Sequence, residues 1–150
     1  MMTILARLGC IYGWGESQVA KLAPLLALAA RLYVARAFFL SGLTKIRDWD
    51  TTLLLFTEEY HVPILAPAVA APLATAGELV LPVLLVLGLF GRFAAAGLFV
   101  VNIVAVISYP DLGAAEIKDH VLWGVMLVYL VVHGCGAWSL DRFWQRRYTK

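Results

Sequence analysis

Four long apolar stretches, separated by short polar ones, run along this chain. A helix crosses a bilayer with about 20 mainly apolar residues. The stretches at about 22–44, 67–88, 93–109 and 120–134 approach that length, with Pro110 ending the third. They are rich in Leu and Ala, whereas a membrane barrel needs many short segments of alternating character. The pattern predicts an all-α integral membrane protein, a four-transmembrane-helix bundle. In the first connection, Trp49, Leu53, Phe56 and Tyr60 recur at i, i+4, i+7 and i+11, one face of a helix. Asp50 is the expected N-cap, and Pro63 follows the end. This predicts a short amphipathic helix in the first outer loop, lying on the interface or folded back over the bundle.

Composition decides that this bundle sits in lipid. Of 150 residues, 62% are hydrophobic and 15% charged, against about 45–50% and 25% in a soluble domain. The length suits one domain over 1–150. Within it, 1–21 reads as an interfacial segment with Arg7, Tyr12 and Trp14, too interrupted by glycine and polar residues for a cleavable signal. Residues 137–150 read as a basic tail. The net charge of +2 does not indicate a nucleic-acid partner. Cys10 and Cys135 form no C-x-x-C or zinc spacing and read as plain thiols. No phosphate loop, nucleophile triad, haem motif or metal set is visible, so no cofactor is evident and catalytic residues are unknown.

The basic residues fix an expected orientation. Arg7, Lys21, Arg92, Arg142, Arg146, Arg147 and Lys150 fall on one side of the four spans, and Lys45, Arg47 and Lys118 on the other. The positive-inside rule then places both termini in the cytoplasm.

Ionisable groups inside a span are costly, usually paired, and the first candidates for function. Here they are Arg31, Arg36 and Glu78. At about 1.5 Å per residue from the outer ends, Arg36 lies ~12 Å deep, Glu78 ~16 Å, Arg31 ~20 Å and Asn102 ~10 Å. A midplane cluster of these four is expected. Pro82 cannot donate to the Glu78 carbonyl, and an arginine, with five donors, is suited to take both carbonyl and carboxylate. The alternative is a purely structural ion pair between the first two spans. Arg36 stands about 140° around the helix from Arg31 and is expected to do a different job. Lys45, near the outer surface, is expected to snorkel. His120, beside Lys118 and Asp119, is either a proton carrier or an interfacial polar group. His133 is read as a boundary residue, and Glu58, Glu59 and His61 are weak evidence for a metal.

The chain resembles the DoxX family of small four-helix inner-membrane proteins over about residues 25–141. The residues that carry the likeness are Arg31, Phe38 and Gly42-Leu-Thr-Lys45, then Glu78-Leu-Val-Leu-Pro82, Gly88-Leu-Phe-Gly-Arg92 and Gly134-Cys-Gly-Ala-Trp-Ser-Leu-Asp141. Arg31, Gly42, Lys45 and Glu78 fall on the family pattern, and Arg36 is an extra charge. The resemblance implies a bacterial inner-membrane protein related to the membrane subunit of thiosulfate:quinone oxidoreductase. The expected function is an accessory component of a redox, metal or oxidative-stress system, interacting with quinone through a buried Arg/Glu cluster. The leading alternative is a non-enzymatic scaffold or helper for a partner enzyme or modified peptide, and the third is small-anion or metal transport as an oligomer. Expected partners are the bilayer, a redox protein or further copies of the chain. Ligand-binding candidates are Arg31, Arg36, Glu78, Asn102, Lys45 and His120.

Overall fold

The computed structural model describes residues 12 and 14–148. Arg7, Cys10, Lys150 and most of the expected interfacial segment lie outside the described residues. A helical run over 14–20 is followed, after a turn at 21 and 22, by six helices. These are α1 (Ala23–Arg47), α2 (Trp49–Glu58), α3 (Pro67–Leu87), α4 (Gly91–Ser108), α5 (Ala114–His133) and α6 (Leu140–Tyr148). Among the described residues there is no strand. Pro24 and Pro67 open α1 and α3 in the first turn, where a missing N–H leaves no bond unmade.

Three helical stretches are long and apolar enough to cross a membrane: Trp14–Arg47, Pro67–Leu87 and Gly91–Ser108. Helix α5 is 20 residues long, but Glu116, Lys118 and Asp119 occupy its first turns. Helix α1 packs on α3, α3 on α4, α4 on α5, and α5 more lightly back on α1. The core they enclose is made of Val34 and Phe38, Leu85, Ala94, Ala95 and Leu98, then Leu127, Leu130 and Cys135. Small residues are used inside the chain: Ala94 and Ala95 are buried, and a Cβ on Gly97 would lie 2.8 Å from Leu81. Large apolar side chains such as Leu32, Val80, Val100 and Val125 face outward instead. That outside matches hydrocarbon as a solvent.

Helix α2 folds back on the start of α3. Phe56 is buried against Ala70 and Ala71, with Leu53, Tyr60 and Val62 around them. The N-cap is Asp48, not the expected Asp50. Its carboxylate accepts from the Thr51 backbone N–H at 3.0 Å and the Thr51 hydroxyl at 2.7 Å. Asp50 sits in the first turn, where its charge faces the positive end of the helix dipole. The Tyr60 ring meets Phe56 and Tyr109 edge-on at 5.0 and 5.4 Å. Burial, helped by Tyr109 and nearby carboxylates, pushes the Tyr60 phenol pKa up.

Candidate functional site

Three buried polar groupings stand out, and the first is a clasp around Arg31. Helix α3 ends at Gly88, in left-handed conformation with φ 65°; there the Leu85 carbonyl meets only the Gly88 N–H, at 3.1 Å, and the Val86 carbonyl needs a donor from outside the helix. Arg31 supplies it. Its Nε donates to the Leu85 carbonyl at 2.9 Å and Nη2 to Val86. Nη1 donates to Cys135 at 2.8 Å and to Trp138 at 2.9 Å. A guanidinium has five N–H groups, so four carbonyls nearly saturate it. The same junction is locked from the other side by Asp141. Its carboxylate accepts from the backbone N–H groups of Phe90 and Gly91 at 2.9 and 2.8 Å, and its own N–H donates to Gly88. A Cβ at Gly88 would lie 2.5 Å from the Ser139 side chain, and one at Gly91 would lie 2.1 Å from the Cys135 sulfur. Burial pushes the Cys135 thiol pKa up, against the pull of Arg31, so it packs as a neutral group.

The second grouping is an ion pair across α1 and α3. Lys45 Nζ donates to Glu78 Oε1 at 2.9 Å, to Oε2 at 2.6 Å and to Ser41 Oγ at 2.9 Å. An ammonium has three donors, so Lys45 keeps none for a ligand. The pair sits where the two helices approach closely: a Cβ on Gly42 would be 2.9 Å from Leu79 and 3.1 Å from Glu78. Glu78 therefore does not meet Arg31 or Arg36, and the expected Arg/Glu cluster is replaced by this pair. The Arg31 side chain lies at the far end of α3, about two turns beyond Glu78, and it takes the Leu85 and Val86 carbonyls there. Arg36 is exposed on the outward face of α1 beside Leu32, Tyr33 and Leu40, with no hydrogen bond or ion pair among the described residues.

The third grouping joins α4 to α5. Asn102 Nδ2 donates to the His120 carbonyl at 2.9 Å, and Asn102 Oδ1 lies 2.8 Å from His120 Nδ1. The carbonyl accepts only, which fixes the orientation of the amide. Oδ1 also accepts only, so Nδ1 must carry the proton. In neutral His120 the lone pair therefore sits on Nε2, which has no hydrogen-bond partner among the described residues. Trp123 stacks edge-on to His120 at 5.0 Å and to Phe38 of α1 at 5.6 Å, and its buried indole N–H is also unbonded. Asn102 and His120 line a groove of about 440 Å³ between α4 and α5, with Phe99, Ile103, Ile107 and Val121 as apolar walls.

Close approaches set the levels of these groups. Gly42 faces Glu78, Gly77 faces Val101 at 3.4 Å, and Gly124 faces Asn102 Nδ2 at 3.4 Å. The ion pair and the Asn102–His120 pair therefore lie at nearly the same level of the bundle. The other histidines stand apart. His61 is exposed, and its backbone N–H donates to the Ser108 carbonyl at 2.8 Å. His133 stacks on Tyr129 at 4.4 Å. Among the described residues no group of His, Cys, Asp or Glu is arranged to hold a metal, and Glu58, Glu59 and His61 do not converge. Sequence reasoning missed Ser41, Asp141 and the carbonyls of Cys135 and Trp138. Asp141 closes the last family-like motif, which was the one signal available for it.

An apolar exterior around buried polar groups, most of them paired inside the chain, defines a helical membrane protein. The family model DoxX matches residues 26–110, and the model described as TQO small subunit DoxD matches residues 71–150. The chain belongs to the DoxX family of small membrane proteins. No curated protein and no solved structure matches it.

Proposed function

We propose that this protein is a four-span component of a quinone-linked redox system in the bacterial inner membrane, with both termini cytoplasmic. In this reading the groove between α4 and α5 holds a quinone head. Helix α5 is the fourth span: 20 residues reach about 30 Å, and its charged first turns sit among headgroups. The match to the small subunit DoxD supports the redox link and an oxidoreductase partner. The observation that carries the site is the His120 nitrogen left without a partner at the head of an apolar groove.

The chemistry follows from the tautomer. Doubly protonated His120 donates from Nε2 to a quinone carbonyl, and neutral His120 accepts from a quinol hydroxyl there. Asn102 holds the ring through Nδ1, as an outer partner orients a ligand histidine. Reducing a quinone takes two electrons and two protons. The electrons come from the partner, His120 delivers one proton, and the second comes from water at the membrane surface. The groove is of ligand size and open along its apolar wall, as an isoprenoid-tailed molecule entering from lipid requires.

The test is titration of the full chain in nanodiscs with a short-chain quinone, read by quenching of tryptophan fluorescence. His120→Leu is expected to weaken binding by about tenfold or more, the value of one good hydrogen bond. Asn102→Leu is expected to weaken it less. If both variants bind as tightly as the wild type, the reading is wrong.

A further inference from the structure

Helix α6 separates apolar from charged residues more sharply than any of the other five. Leu140, Phe143 and Trp144 stand at i, i+3 and i+4, one stripe of a helix. They are 45%, 66% and 58% exposed. Arg142, Arg146 and Arg147 are exposed as well.

The place of α6 is fixed by the bonds of Asp141. These tie the first turn of α6 to the α3–α4 turn, at the end of the bundle where the spans emerge. More exposed aromatic residues cluster at that turn: Phe90, Phe93 and Trp138. Arg92 lies among them and gives one N–H to the Val132 carbonyl at 3.2 Å, leaving others outward. Six exposed large apolar side chains and four arginines thus share one end of the molecule.

We propose that α6 and the α3–α4 turn form a docking collar for anionic phospholipid headgroups. Rings and Leu140 sink into the boundary between headgroups and acyl chains, and arginines bind phosphates above it. A helix with an apolar stripe and a basic one lies in the plane of a membrane interface; here Leu140, Phe143 and Trp144 make the first, Arg142 and Arg146 the second, and Arg147 ends the apolar stripe, where a long side chain can reach up to the phosphates. Arginine matches phosphate through its bidentate fork. An acidic soluble protein would match the arginines alone and would leave the exposed rings in water, a patch that soluble surfaces avoid. The collar does not depend on quinone binding at His120.

The test is hydrogen exchange of the α6 amides in the full chain, in nanodiscs of phosphatidylcholine alone and with added phosphatidylglycerol. Each arginine near an anionic surface is expected to contribute about fivefold to docking. Protection of residues 141–148 should therefore rise at least tenfold with the anionic lipid, and the rise should shrink in high salt. R142Q/R146Q/R147Q should abolish the rise. F143S/W144S should lower protection in both lipids while keeping the arginines. All these residues are exposed, and unchanged protection of α3 and α4 shows that the bundle is intact. Equal protection of α6 in the two lipids, or a rise that survives removal of the three arginines, overturns the proposal. Protection that appears only when an acidic partner protein is added overturns it too.

Discussion

Arg31 and His120 are both polar groups in an apolar bundle, yet their surroundings differ in kind. The guanidinium of Arg31 gives N–H groups to four main-chain carbonyls from two separate segments. The imidazole of His120 is held at one nitrogen and open at the other. A buried group whose bonds are nearly all made inside the chain stabilises the fold, and one held in place with a bond left over is set up to meet something else. Lys45, with all three donors engaged, belongs with Arg31.

Variants at these places should separate stability from binding. The largest effect is expected for Arg31→Leu. Leu85 keeps the Gly88 N–H, but the other three carbonyls lose their donor at about 1–3 kcal/mol each, a sum that approaches the whole stability of a domain. The expected outcome is loss of monodisperse protein in detergent. Arg31→Lys should rescue little, because three donors on a point charge cannot serve four carbonyls in a plane. A variant that remains folded and near wild type in thermal unfolding would show that the clasp is dispensable.

Next comes the ion pair. Glu78→Leu alone leaves Lys45 without its partner and should cost about 3 kcal/mol, as for other pairs broken from one side. The double variant K45M/E78L should recover most of it. If the double variant is as unstable as the single one, the pair acts through more than mutual neutralisation.

Gly91→Ala should cost about 1–3 kcal/mol, because its new methyl meets the Cys135 sulfur. Adding Cys135→Ala should restore part of that loss, and a thermal melt of the single and double variants decides it. The smallest stability effect is expected for His120→Leu, within about 1.5 kcal/mol, since it removes one side-chain bond to Asn102. A stability loss as large as that of Arg31→Leu would move His120 into the structural class and undo the comparison.

Much of this was legible in the apolar pattern. The helices, the turn at Gly88 and the existence of the short helix follow from run length, proline placement and apolar spacing, whereas its cap was expected at Asp50 and is Asp48. The buried groups Arg31, Glu78 and Asn102 and the half-buried His120 were also visible as candidates. Their pairing was not, because depth was counted along each span from its outer end, and that arithmetic knows nothing of how neighbouring helices are staggered. Lys45 looked like a surface residue. Side chains on a helix lean toward its N-terminus, so a long lysine near the outer end of α1 reaches inward past Ser41 to Glu78. The Asn102–His120 pair was within reach. The two residues are equally far from Asp111, in the middle of the short connection between α4 and α5, and antiparallel neighbours meet in that way.

The Arg31 clasp also bears on the order in which the protein is made. Leu85 and Val86 follow Arg31 by 54 and 55 positions, but Cys135 and Trp138 come 104 and 107 positions later. A nascent chain holds this arginine with half of its acceptors still unsynthesised, so the clasp can close only after residues 135–138 have been made. A segment made more than 100 residues later completes the coordination of Arg31, and a chain that stops short of Cys135 is expected to be recognised by the cell as unassembled.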